Sequence, residues 1–422
     1  MIALVWLNLL SIMAIPIYIR ILGVSEWGIV AACLSLQMIA SFVDAGFSQI
    51  IPRWVAREAH NPAALRSYVK VFGKIYAVLA LCIFVFIQSS AEYFAHHWFD
   101  IQANRADNLE LAIRITCFQI FFQFLNSLAV GFWHGMQHQV TANVRTCFFG
   151  TLKHALTMIV LISLQAEAHI YASVFALVAL IELLANGHRL RSSFIMDTSG
   201  KQHIVHIIPF LREVSMLSLG VLVGLMVSYI DRIVLSRSVT LDHFGIYSII
   251  VSISMAFLQL QIPFTRAYFP VLVREFEKKS EISIKVMKKL TILILFSSVI
   301  PCITASLFAD LILKIWLNNE FIVEVGSETL RMLLLAVAIN SLYGCVYQAL
   351  VASGKSRLVL QINVAALFAG MSVVALLRTS TGLNLGGMIW LATASTQLIL
   401  GSVWLAWSHR RSCFSSLTAI NR

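Results

Sequence analysis

The sequence predicts an all-α integral membrane protein with about twelve transmembrane helices. Hydrophobic residues make up 59% of its 422 residues and charged residues only 12%, against roughly 25% charged residues in soluble domains. The apolar residues form long continuous runs, whereas the strands of a membrane barrel alternate polar and apolar positions over about ten residues. A soluble domain and an outer-membrane barrel are therefore both excluded.

Each apolar run is long enough to cross the hydrocarbon core of a bilayer, which takes about 20 helical residues. No basic segment precedes the first run, which argues against a cleaved signal peptide and leaves open a start codon upstream. The least distinct boundary lies between spans five and six, which are divided only by the polar residues from Gln165 to His169. The predicted spans are 1–19, 27–52, 70–90, 109–132, 145–165, 168–188, 214–235, 244–270, 286–309, 328–351, 357–377 and 384–407.

The charges of the loops predict the orientation of the chain. With the amino terminus inside, most of the 31 Lys and Arg residues fall in the inner loops and tail, and most of the 20 Asp and Glu residues fall outside. Basic residues collect on the cytoplasmic side of membrane proteins, so both termini are predicted to be cytoplasmic. The net charge of +11 therefore indicates topology, and it gives no support to nucleic-acid binding.

One stretch of the sequence recurs. Residues 20–58 align with residues 237–275, so that Gly28 falls on Gly245 and Phe47 on Phe264. This repeat predicts two parallel six-helix lobes, an arrangement that places a substrate cavity between two helix bundles. The predicted domains are an N-lobe over 1–191, a cytoplasmic linker over 192–212, a C-lobe over 213–409 and a cytoplasmic tail over 410–422.

Polar residues inside the spans are candidates for function, because they are costly in a membrane unless they face protein or water. One face of span two, followed at helical steps of four and three residues, carries Gln37, Ser41, Asp44 and Ser48. Span five contains Lys153, and span eight contains Gln259, Gln261 and Arg266. Hydrogen bonding between helices is the alternative role for these residues.

Weaker candidates lie near the ends of other spans: Arg114, Arg331, Asp231 and Arg232. Arg114 lies opposite the polar line of span four, which consists of Thr116, Gln119, Gln123 and Asn126. For Arg114 and Arg331 the favoured interpretation is a solvated side chain that reaches the membrane surface. Glu182, Asn186 and Arg189 share a face of span six, where a local ion pair is expected.

The sequence predicts no cofactor, no metal site and no catalytic residue. The seven Cys and twelve His residues show no paired or metal-binding spacing. The sequence also contains no G-x-x-x-x-G-K-[ST] motif, so the chain is predicted not to hydrolyse ATP.

Four segments carry a resemblance to a known family: YIRILGVSEWGIV at 18–30, SFVDAGFSQIIPRWVARE at 41–58, YIDRIVLS at 229–236 and HFGIYSI at 243–249. They resemble the bacterial O-antigen and polysaccharide flippases of the multidrug, oligosaccharidyl-lipid and polysaccharide exporter superfamily. The resemblance implies an inner-membrane transporter that moves undecaprenyl-diphosphate-linked oligosaccharide to the periplasmic face by alternating access. It also implies a polysaccharide polymerase and a chain-length regulator as partners.

Such a cargo suggests a role for the polar residues of the spans. Lys153 and Arg266 are predicted to form a cationic path for the diphosphate, since both side chains bind phosphate. Asp44 is predicted to bind the coupling ion or to line the path. The remaining residues predicted to line the path are Gln37, Ser41, Ser48, Gln259 and Gln261.

Two other functions stay open. A cation-coupled antiporter for drugs or small molecules is expected to show acidic rather than basic residues in its path. An integral-membrane polysaccharide polymerase usually has a large outer loop, and the longest outer loops here have about 20 residues by the span limits above.

Overall fold

The computed structural model describes residues 2–44, 47–164, 166–192, 207–277, 282–377 and 382–420. Helices are the regular elements of these ranges, joined by short turns. In chain order they are α1 Ile2–Asp44, α2 Phe47–Arg57, α3 Pro62–Tyr93, α4 Ala103–Gly135, α5 Gln139–Ser163, α6 Ala168–Ser192, α7 Ile207–Ser238, α8 Leu241–Leu258, α9 Ile262–Glu277, α10 Ile282–Ile294, α11 Ile300–Leu307, α12 Ala309–Leu317, α13 Glu320–Ala352, α14 Ser356–Leu377 and α15 Asn384–Ile420. The predicted class of an all-α, multi-pass membrane protein is confirmed.

The described residues contain eleven helical stretches that are long and apolar enough to cross a membrane, whereas the sequence predicted about twelve spans. The difference lies in α1, whose 43 residues extend about 65 Å at 1.5 Å per residue. That length is about twice the hydrocarbon thickness of a bilayer. Gly23 interrupts the helix with φ 79° and ψ 168°, a conformation that glycine adopts without a steric penalty. The first predicted span and most of the second therefore lie in one kinked helix.

The helix ends are fixed by specific side chains. Asn61 Oδ1 accepts a hydrogen bond from the Ala64 N–H at 3.1 Å, and Pro62 opens α3, as expected of an N-cap followed by proline. Asn319 caps α13 in the same way through the Ile322 N–H. At the weakly predicted break between spans five and six, α5 ends at Ser163 and α6 begins at Ala168.

The structure divides into two compact units. The first comprises Met1–Leu225 with Val239–Gly245, and the second comprises Met226–Ser238 with Ile246–Arg422. In the first unit α4 packs against α2, α3 and α6, and in the second unit α13 packs against α9, α11, α12 and α15. Most of the predicted linker, residues 193–206, lies outside the described residues, and the predicted lobe limits stay a prediction.

Two glycines of the sequence repeat meet inside the first unit. A Cβ atom on Gly28 would lie 2.7 Å from the carbonyl oxygen of Leu241, and one on Gly245 would lie 2.9 Å from Gly28 Cα. The segment 239–245 is held by a hydrogen bond from the Leu241 N–H to Asp100 O at 2.9 Å. The Arg105 side chain also holds this segment by donating a hydrogen bond to Asp242 Oδ1 at 3.2 Å. Close backbone packing therefore requires glycine at both positions.

We expect Gly28→Ala to lower the stability of the purified protein by about 1 to 3 kcal/mol, the usual cost of overpacking. Gly187→Ala is the matched control, because a Cβ atom there meets open space within α6 and alanine favours a helix over glycine. The measurement is the midpoint of thermal unfolding in detergent. Equal midpoints for the two variants would contradict the tight contact at Gly28.

Candidate functional site

A polar cleft of about 210 Å³ lies in the first unit and contains three of the predicted path residues. Gln37, Ser41 and Asp44 line it from one face of α1, while Gln123 and Ser127 line it from α4. Apolar contacts come from Ala40, Ile120 and Phe124. Gln37, Ser41 and Asp44, which the helical spacing placed on one face, therefore line the same cleft. The side chain of Ser48, the fourth member of that face, lies outside the described residues.

The carboxylate of Asp44 is held by a residue that the sequence did not identify. The hydroxyl of Tyr76 in α3 donates to Asp44 Oδ1 at 2.9 Å. Tyr76 is only 1% exposed, and its ring packs 5.1 Å from that of Phe124. A buried hydroxyl thus orients the one acidic side chain among the lining residues of this cleft. Tyr76 lies in a long apolar run, and no pattern within that run distinguishes it from a packing residue.

A second group of polar side chains links α4, α5 and α6 within the first unit. We call it the polar cluster, and its members are Asn126, Arg145, Glu182 and Asn186. Asn126 Nδ2 donates to Glu182 Oε1 at 2.9 Å, and Asn186 Nδ2 donates to Asn126 Oδ1 at 2.7 Å. Arg145 Nε donates to Asn186 Oδ1. Asn126 lies three residues after Gln123 on α4, so the cluster follows the wall of the cleft along one helix face.

Lys153 lies on α5, eight residues after Arg145. Its Nζ atom is 4.7 Å from the centroid of the Phe175 ring, a distance that favours cation–π attraction. Lys153 is half-buried and is not among the lining residues of the cleft.

The residue after Lys153 fixes α5 against α1. His154 Nδ1 lies 3.0 Å from the Tyr18 hydroxyl, and His154 Nε2 lies 3.4 Å from Ser11 Oγ. Because His154 is buried, these contacts set the rotation of α5 about its axis. The sequence did not single out His154 or Tyr18.

The other predicted path residues lie in the second unit. Gln259 and Gln261 lie in a single 3-10 turn between α8 and α9. The turn falls within one helical stretch, Leu241–Phe276, that is long and apolar enough to cross a membrane, where the sequence predicted one span. Gln261 Oε1 is buried and lacks a hydrogen-bond partner in the described part of the chain. Arg266 is exposed on α9. These residues are not brought into the cleft of the first unit.

Asp231, like Asp44, accepts a hydrogen bond from a tyrosine hydroxyl. It is fully buried in the second unit, and the Tyr247 hydroxyl donates to its Oδ2 at 2.6 Å. The guanidinium of the adjacent Arg232 lies 5.1 Å from the centroid of the Tyr229 ring. Each unit therefore holds an intramembrane aspartate that accepts a hydrogen bond from a buried tyrosine.

Arg114 and Arg331 each have a carboxylate partner and lie apart from the cleft. Arg114 Nη2 is 2.7 Å from Glu110 Oε1, and its side chain is 42% exposed. Arg331 pairs with Asp310, and its side chain is 45% exposed. Both arginines are therefore partly exposed and paired, and the solvated role favoured from the sequence stays a prediction.

Comparisons with known proteins agree with the fold and extend the sequence resemblance. A Shigella flexneri protein named "Putative O-antigen transporter" is 22% identical over 414 residues, which are 96% of this chain and 95% of that protein. A solved inward-facing multidrug resistance MATE family transporter of the MOP superfamily covers 99% of both chains at 13% identity, with a TM-score of 0.71. Lipid II flippase MurJ, in an inward closed conformation, covers 97% of this chain and 87% of its own at 12% identity, with a TM-score of 0.69.

These three relatives are transporters or flippases rather than enzymes, in agreement with the prediction of a transporter. At such low identities the solved structures establish the fold alone. The family model described as "Polysaccharide biosynthesis protein" matches residues 1–276, well over half of the sequence. The chain therefore belongs to the polysaccharide biosynthesis protein family.

Proposed function

We propose that this membrane protein is a flippase that moves an undecaprenyl-diphosphate-linked oligosaccharide, such as an O-antigen repeat unit, from the cytoplasmic to the periplasmic face of the bacterial inner membrane. Transport proceeds by alternating access of two six-helix lobes. The observation that carries the proposal is the polar cleft, in which amide and hydroxyl groups of α1 and α4 face one another. Sugar hydroxyls need hydrogen-bond partners of this kind when they leave water.

The diphosphate of the cargo requires cations, and we assign this task to Lys153 and Arg266. Arginine binds phosphate oxygens in a bidentate way, and lysine acts as a point charge. Asp44 serves as the site of the coupling ion, because a carboxylate at membrane depth binds a proton or Na⁺. The lipid tail remains in the bilayer throughout transport. A polysaccharide polymerase and a chain-length regulator use the translocated unit and are the expected partners.

Transport by the purified protein tests this proposal. An external glycosidase should cleave only the outer-leaflet pool of a lipid-diphosphate-linked disaccharide in protein-free liposomes, and the inner-leaflet pool as well in proteoliposomes. In the native host, deletion of the gene should cause lipid-linked oligosaccharide to accumulate on the cytoplasmic face. Accumulation of unpolymerised units on the periplasmic face would instead support a polymerase.

A cation-coupled antiporter is the second candidate, and one observation favours it. The lining residues of the cleft include the carboxylate of Asp44 but no basic side chain, an arrangement that suits a cationic drug. Efflux of ethidium from the same proteoliposomes, without movement of the lipid-linked disaccharide, would establish this function and refute the flippase.

The loop charges provide a separate test of the proposed orientation. Reporter fusions after residues 60 and 200 should be cytoplasmic, and fusions after residues 100 and 320 should be periplasmic, because the basic loops remain inside. Alkaline phosphatase and green fluorescent protein report the two sides. A periplasmic signal at 200 together with a cytoplasmic signal at 100 would reverse the orientation and refute the proposed topology.

A further inference from the structure

We propose that the amino-terminal part of α3 binds the head group of an anionic phospholipid, in the leaflet that surrounds this end of the helix. The site is the basic face of α3, which consists of Arg66, Lys70 and Lys74. Its ligand is a resident lipid of the bilayer, distinct from the transported cargo.

The three basic side chains share one face because they follow one another at steps of four residues. All three are exposed, and within the described ranges none of them forms an ion pair. The sequence contains no acidic residue between Glu58 and Glu92, so this part of α3 carries no carboxylate of its own. The three positive charges therefore remain for an external anion.

The opposite face of α3 is covered by the first unit. Tyr68, Phe72 and Tyr76, also at steps of four residues, are buried. The Tyr68 ring packs edge-on against Trp54 of α2, with 5.5 Å between the ring centroids. The Tyr76 ring lies 5.1 Å from that of Phe124 of α4. The aromatic face of α3 therefore points into the unit, and the basic face points away from it.

The continuation of the basic face is apolar and exposed. Val78, Leu81 and Val85 follow Lys74 at steps of four, three and four residues, and they are 61%, 55% and 55% exposed. An exposed aliphatic strip of this kind suits contact with acyl chains, whereas a water-filled path would carry polar side chains. The face thus matches both parts of an anionic phospholipid, with cations for the head group and aliphatic side chains for the tails.

The depth of the basic face agrees with the position of lipid phosphates. Tyr93, at the other end of α3, is 51% exposed and suits the opposite membrane interface, where tyrosine is enriched. At 1.5 Å per residue, Lys74 lies about 28 Å from Tyr93 and Arg66 about 40 Å, whereas the hydrocarbon core is about 30 Å thick. Lys74 is therefore at the edge of the core, where its long side chain reaches the head groups, and Arg66 lies among them.

The general bias of basic residues towards cytoplasmic loops explains the sign of this charge but not its arrangement. That bias is met by basic residues anywhere in a loop, whereas these three lie within a helix on its outward face. The buried face of the same helix presents the Tyr76 hydroxyl to Asp44. A lipid bound to the basic face thereby holds the helix that orients the carboxylate of the cleft.

Competition between two lipids for the purified full-length protein tests this site. In native mass spectrometry with equal amounts of phosphatidylglycerol and phosphatidylcholine, we expect the protein to retain phosphatidylglycerol preferentially. Lys70→Gln should lower the affinity for phosphatidylglycerol about fivefold, which corresponds to about 1 kcal/mol for one charge near an anionic surface. Combined replacement of Arg66, Lys70 and Lys74 by glutamine should remove the preference.

Two further variants control for charge and for folding. Lys355→Gln removes one exposed positive charge from the turn between α13 and α14 and should leave the affinity unchanged, so a loss equal to that of Lys70→Gln would refute the site. Lys70→Arg keeps the charge and should keep the preference; equal losses in Lys70→Arg and Lys70→Gln would also refute it. If the triple variant does not fold, this pair of single variants decides the question. A triple variant that loses undecaprenyl diphosphate but retains phosphatidylglycerol would assign the face to the cargo and overturn the proposal.

Discussion

Asp44→Leu is expected to abolish transport of the lipid-linked oligosaccharide without lowering the amount of protein in the membrane. Asp44 is the acidic residue of the polar cleft, and the buried hydroxyl of Tyr76 orients its carboxylate. Leucine removes both the charge and the hydrogen-bond acceptor. Loss of one charged hydrogen-bonding group is worth about 1.5 to 3 kcal/mol, and loss of ion coupling adds to it. The measurement is O-antigen laddering in a deletion strain that carries each variant at matched expression.

Three further variants separate the charge of Asp44 from its hydrogen bond. Asp44→Asn keeps an oxygen for Tyr76 but cannot ionise, and it should be as inactive as Asp44→Leu. Asp44→Glu should retain part of the activity. Tyr76→Phe preserves the ring contact with Phe124 and removes only the hydroxyl, so it should be less damaging than Asp44→Asn. Full activity in Asp44→Leu would show that the residue only packs or is solvated.

The fold could be predicted because the length and apolarity of the runs leave few alternatives. What the sequence could not show was the continuity of α1 through the first two predicted spans. A single glycine in an apolar run does not reveal whether the chain turns back or continues, and here α1 continues past Gly23 to Asp44. The start of α6 also depends on a distant residue, since Glu26 Oε2 accepts a hydrogen bond from the Ala168 N–H at 2.8 Å.

The candidate site was predictable only within a single helix. Steps of four and three residues correctly grouped Gln37, Ser41 and Asp44, because periodicity fixes which side chains share a face. The opposing wall from α4 and the hydroxyl of Tyr76 depend on how neighbouring helices are rotated, which no single helix encodes. For the same reason the sequence, which suggested a local ion pair on the face of Glu182, Asn186 and Arg189, did not show the contacts between helices. Glu182 accepts a hydrogen bond from α4, and Asn186 bonds to both α4 and α5.

Lys153→Gln is expected to reduce transport about ten- to a hundredfold, whereas Lys153→Arg should retain function. Both replacements can donate hydrogen bonds, but only arginine keeps the positive charge beside Phe175. Loss of a charge-assisted contact to phosphate costs about 1.5 to 3 kcal/mol, which corresponds to this range of flux when substrate is limiting. By the same argument Arg266→Lys should be partly active and Arg266→Gln inactive.

Lys355→Gln is the control for loss of one positive charge, because Lys355 is exposed in the turn between α13 and α14. It should transport normally, which would separate the effect of Lys153 from that of net charge on membrane insertion. Thermal unfolding midpoints establish that each glutamine variant is folded. Normal O-antigen laddering from both Lys153→Gln and Arg266→Gln, at matched expression, would refute the cationic path, because a diphosphate cannot leave water without cations to replace its hydration.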